Sequence, residues 1–168
     1  MSQVNAITSK NNKINSLSKY YNIAKILLTL TPFMALMYLS MESARMGVAM
    51  QQAIQQNPKL TILFLVSMIN PFIAYLLIFI QKKIESSDTS YAITNIVMFI
   101  VAEILLQNVL YVILFGVILY KTLKTYNVTI KESFKEKLKD KFLMTISGSL
   151  VVIGLACICL FATIRINM

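Results

Sequence analysis

Three long apolar runs decide what this chain can become. Residues 60–80 (LTILFLVSMINPFIAYLLIFI) give 21 positions, 92–120 (AITNIVMFIVAEILLQNVLYVILFGVILY) give 29, and 142–164 (FLMTISGSLVVIGLACICLFATI) give 23. Each reaches the roughly 20 apolar residues that an α-helix needs to cross a hydrocarbon core of about 30 Å. A water-soluble globule has no way to hide all three. Of the 168 residues 57% are hydrophobic and only 14% are charged, whereas a soluble domain carries about 25% charged residues. Such a composition also excludes a disordered chain and a disulfide scaffold. The expected fold is all-α, an integral membrane helical bundle forming one domain over 26–168 behind a polar, basic tail over 1–25.

A fourth stretch is shorter. Residues 26–41 (ILLTLTPFMALMYLSM) give 16 positions that include Pro32, at the border between a span and a re-entrant or interfacial piece. Four transmembrane helices are therefore expected, with three spans plus a re-entrant or in-plane first segment as the alternative. The segment 42–57 reads as an amphipathic helix, with Met46, Met50, Ala53 and Ile54 on one side and Asn57-Pro58 as its stop. Over 129–141, Thr129 and Glu132 predict a capping box that opens a second amphipathic helix. Its Ile130, Phe134 and Leu138 recur every four residues among lysines.

Charge and hydropathy disagree about topology. Short loops rich in Lys and Arg stay cytoplasmic. Four spans with the N-terminus inside place Lys10, Lys13, Lys19, Lys25, Lys82, Lys83 and Arg165 within, seven in all. They leave nine outside: Arg45, Lys59 and the seven lysines of 121–141. If 26–41 dips in and returns, the split becomes thirteen to three. The charge rule thus favours a re-entrant first segment, and hydropathy favours four crossings.

Several chemistries fall away. With no His in the chain, imidazole metal sites and His-based triads are excluded. Cys157 and Cys159 diverge by about 200° on a helix and cannot bridge each other. Four glycines supply no phosphate-cradling loop. The expectation is no enzyme, no cofactor and no metal.

The polar residues inside the apolar runs are the candidate site. Glu103 is the one acid within a run, and on a continuous helix Gln107 and Tyr111 share its face with Asn108 beside them. This set predicts either a proton- or cation-coupled groove or a carboxyl bonded to a neighbouring helix to fix register. Asn70 and Pro71 lie mid-run, and Pro71 and Pro32 predict helix kinks. Such bends either pack helices, with Asn70 bonding across them, or mark a broken-helix site. In the last run Ser147, Gly148, Ser149, Gly154 and Ala156 permit close helix approach, within the bundle or between copies. Lys131, Lys135, Lys137, Lys139 and Lys141 are the contact set for anionic lipid headgroups or a partner. Nucleic acid is not expected, since this segment has no Arg and most of its aromatic surface faces the bilayer.

Together these features predict a small non-enzymatic membrane protein. It would act as an accessory, regulatory or protective (immunity-like) subunit through helix–helix contacts with a larger membrane partner, or as a homo-oligomer. The alternative is an oligomeric transporter or channel for a small solute or cation using Glu103. A composition rich in Lys, Ile and Asn is that of AT-rich bacterial genomes, so the expected location is a bacterial cytoplasmic membrane, crossed several times.

Overall fold

The computed structural model describes residues 2–139 and 142–167, with side chains over 14–138 and 142–166. The described residues form seven helices: α1 (Ser2–Met46), α2 (Met50–Gln56), α3 (Pro58–Glu85), α4 (Thr89–Leu105), α5 (Val109–Tyr126), α6 (Ile130–Lys139) and α7 (Phe142–Asn167). Stretches of α1, α3, α5 and α7 are long and apolar enough to cross a membrane, and α4 is a shorter apolar helix. The chain is an all-helical, multi-pass membrane bundle.

Local chemistry explains most of the boundaries. Asn57 starts α3 by accepting from the Lys59 backbone N–H at 3.1 Å, with Pro58 as the first helical residue, a position where its missing N–H is no loss. Asp88 caps α4 by accepting from the Tyr91 N–H at 3.1 Å. At α6 the predicted capping box is present: Glu132 N–H donates to Thr129 Oγ1 at 3.3 Å, and the Thr129 N–H and hydroxyl donate to Glu132 at 3.2 and 2.7 Å. Those bonds from the Thr129 hydroxyl and backbone hold the Glu132 carboxyl below the usual carboxylate range. Left-handed residues follow α1, α3, α4 and α5, namely Gly47, Ser87, Gln107 and Asn127. Each closes its helix in the manner of a left-handed C-cap.

Three sequence expectations are corrected. The first stretch does not dip and return, because α1 runs unbroken through 26–41 and through Pro32. That leaves only Met50–Gln56 for the amphipathic helix expected over 42–57, since α1 continues to Met46 and Gly47 breaks the chain there. The 29-residue run 92–120 is not one span. It breaks after Leu105, where Gln107 takes φ 58° and the Asn108 N–H returns to the Glu103 carbonyl at 2.9 Å. The run forms a hairpin of α4 and α5 packed side by side. Its Phe99 and Phe115 rings are fully buried and lie 5.7 Å apart. Pro71, like Pro32, sits inside a continuous helix.

The hairpin settles which loops share an end. Lys137 on α6 pairs with Asp88 before α4 at 2.9 Å, and Ser90 donates to Glu136. At the same end Lys25 donates to Gln81 at 2.8 Å, Gln81 donates to Ser18 at 3.2 Å, and Lys121 lies 4.2 Å from the Tyr20 ring centre. Segments 81–91 and 121–138, which a single 92–120 span would place on opposite faces, are in contact. Nine lysines with described side chains (Lys19, Lys25, Lys82, Lys83, Lys121, Lys124, Lys131, Lys135 and Lys137) belong to this end. Arg45, Lys59 and Arg165 belong to the other. The clash between charge and hydropathy came from the hidden turn, not from the first segment.

Packing between the long helices uses few polar groups, and several of them bond across helices. Asn95 on α4 accepts from the Ser149 hydroxyl on α7 at 2.5 Å and donates to the Thr145 carbonyl at 3.2 Å. Tyr21 on α1 meets the Thr122 hydroxyl on α5 at 3.3 Å. Gly148 gives α7 its approach to α3, since a Cβ there would stand 2.8 Å from a Leu76 methyl.

Candidate functional site

Two regions carry unusual chemistry: the α4–α5 turn with the cleft beneath it, and the basic face built by α6. The turn stops well short of the far end of the bundle. Tyr111, in the first turn of α5, donates to the Thr31 hydroxyl, which itself donates to the Leu27 carbonyl at 3.0 Å. Thr31 lies about 22 Å along α1 from Met46, and Asn70 about 18 Å along α3 from Pro58, at about 1.5 Å per residue. Beyond the turn α1, α3 and α7 continue, while α2 packs on α1 and α3 through the buried Ala53. They enclose a cleft of about 630 Å³ roofed by Leu105, Leu106, Gln107 and Asn108.

Of the predicted intramembrane set, Asn70, Gln107 and Asn108 line this cleft and Glu103 and Tyr111 do not. Glu103, Gln107 and Tyr111 do not share one helix face, because the chain turns between them. The turn still gathers Glu103 with Asn108 and Tyr111. Glu103 is fully buried, and its two oxygens have no hydrogen-bond partner of sound geometry; both amide atoms of Asn70 are in the same state. Burying such groups in an apolar medium is costly unless something answers them. Asn70 therefore does not bond across helices as one reading of the sequence expected.

Glu103 gives a direct test. Glutamine keeps the shape and removes a charge from an apolar interior, so Glu103→Gln is expected to keep or raise Tm in detergent. Glu103→Ala leaves a void and lowers Tm, by about 1–2 kcal/mol in stability. A Gln variant less stable than the Ala variant would show instead that an ionised Glu103 is held by a cation or a partner's basic group.

Sequence reasoning missed two members of this region. Thr31 anchors Tyr111, and Lys59 stands at the cleft's rim. The legible signal was the length of the 29-residue run, broken by the polar pair Gln107-Asn108.

The basic face is organised by the clamp on α4. Ser133 and Lys137, one turn apart on α6, are buried against the bundle, while Lys131 and Lys135 are exposed. Lys139 and Lys141 have side chains outside the described residues. Ile130, Leu138, Leu143 and Met144 are exposed apolar neighbours of these lysines. An apolar edge beneath lysines is the pattern of a helix lying at a membrane interface. Among the described residues no cluster of His, Cys, Asp and Glu is arranged for a metal. Cys157 is exposed and Cys159 buried, both free. Compared with known proteins, the chain matches no family model, no curated protein and no solved structure.

Proposed function

We propose that this chain is a non-enzymatic accessory subunit of a bacterial cytoplasmic membrane, inserted with its lysine-rich end toward the cytosol. It contacts a larger membrane partner, which it regulates or protects, through its lipid-facing helices and the α6 face. The observation that supports this most is the Asp88–Lys137 clamp, which joins two loops into one basic surface. Three acids of this end are engaged within the molecule: Asp88 by Lys137, Glu136 by Ser90 and Glu132 by Thr129. Lys131 and Lys135 are thereby left to meet an acidic partner segment or anionic headgroups, each lysine near such a surface contributing about 1 kcal/mol.

The transport reading has less support. Glu103 does not line the cleft, and the cleft ends at the turn.

The test places a photoreactive residue at Lys135 in the intact chain in native membranes. One discrete protein adduct, lost when Lys131→Glu is added, is expected. A chain that crosslinks only to lipid and purifies as a lone monomer would remove the basis of the accessory reading.

A further inference from the structure

We infer that the cleft beneath the α4–α5 turn is a binding site for a single-chain amphiphile with an uncharged amide or hydroxyl head, held head-inward against Asn70. The site lies at the opposite end from the lysine face and stands independently of the accessory reading.

Four observations carry it. Its volume of about 630 Å³ falls within the roughly 300–1,000 Å³ of small-molecule pockets. The walls are apolar, with Met34, Leu63 and Leu160 among them. At the deep end Asn70 is fully buried, and both its donor and its acceptor are unanswered. The hydroxyls of Ser67 and Thr163 also line the cleft, but they already donate to the Phe64 and Cys159 carbonyls at 2.6 and 2.8 Å. A group that both donates and accepts is the complement of a bare amide, and Gln107 and Asn108 in the roof add two more amides.

Charge placement fixes the orientation. Among the described residues Lys59 is the one charged side chain lining the cleft, and it stands eleven positions before Asn70, about 16 Å along α3. An anionic head against Asn70 would be stranded from any cation. An anion at Lys59 would press its alkyl end onto unanswered amides. An uncharged head inward, with the chain running toward Lys59, avoids both.

The experiment uses the full chain in phosphatidylcholine nanodiscs and hexadecanamide carrying a diazirine near the chain end. Adducts are mapped by mass spectrometry. Saturable labelling is expected on wall residues such as Leu63 and Met34. Unlabelled hexadecanamide or hexadecanol should compete at least about tenfold better than hexadecane or hexadecanoate. Asn70→Leu is expected to weaken labelling about tenfold, equivalent to about 1.4 kcal/mol, without lowering Tm. Leu63→Trp fills the cleft and is expected to abolish labelling in a folded chain.

Several results overturn the inference. One is unsaturable label spread over lipid-facing positions such as Phe161. Another is equal competition by hexadecanoate, which would place an anion at Lys59. The last is an Asn70→Leu variant that loses stability together with labelling, which would make Asn70 a packing residue.

Discussion

Gly148→Leu is expected to destabilise the bundle by about 2–3 kcal/mol, read as a clear drop in Tm by circular dichroism in detergent. A Cβ at this position would already lie 2.8 Å from Leu76 Cδ2 and 3.3 Å from Cδ1. Those methyls end a flexible side chain, so Gly148→Ala asks for a small shift and is expected to lower stability by under about 1 kcal/mol. A leucine has nowhere to go without moving α7 away from α3. Adding Leu76→Ala returns the missing volume and is expected to recover at least half of the loss. If Gly148→Leu leaves Tm unchanged, α3 and α7 do not approach as described.

Phe99→Ala is expected to lower stability by about 2 kcal/mol, mostly as a void between α4 and α5. In a water-soluble core the same truncation removes roughly 3–5 kcal/mol. Part of that figure is the transfer of apolar surface out of water, and lipid tails are as apolar as a protein core. What remains is lost packing, including the contact with Phe115, an aromatic pair contributing about 0.5–1.5 kcal/mol. Phe99→Leu keeps much of the volume and is expected to retain more than half of the stability. A Phe99→Ala variant as stable as the parent would mean that α4 and α5 do not pack as a hairpin.

Much of the fold was legible because membrane constraints are severe. Apolar length alone located α3 and α7, and the capping box at Thr129 located the start of α6 to one residue. The hairpin was not legible as such, for a physical reason. Helix-ending signals in water are Gly, Pro and polar clusters, whereas Gln107 adopts a left-handed conformation that glycine usually supplies. The residues flanking the Gln107-Asn108 pair are apolar, so a hydropathy window averages over the turn. Ser87 ends α3 within a polar cluster, and Asn127 is a residue type that enters this conformation readily.

The candidate site shows the same division. Asn70, Glu103 and Asn108 stood out as polar residues in apolar surroundings, and the turn does bring Glu103 beside Asn108. Their arrangement depended on the break, so a single helix face was the wrong geometry. Thr31 gave no signal, because a threonine that bonds back to the Leu27 carbonyl of its own helix looks ordinary in any sequence.

The account depends most on the two polar loops lying at one end of the bundle. Cysteine accessibility in sealed vesicles measures this, in a background with Cys157→Ala and Cys159→Ala. Single cysteines are placed at Ser86, Lys135 and Gln55, all exposed positions, and treated with a membrane-impermeant maleimide before and after the vesicles are opened. The α4–α5 hairpin predicts that Ser86→Cys and Lys135→Cys label from the same side and Gln55→Cys from the opposite side. Labelling of Ser86→Cys and Lys135→Cys from opposite sides would mean that 92–120 crosses once, and would contradict the account.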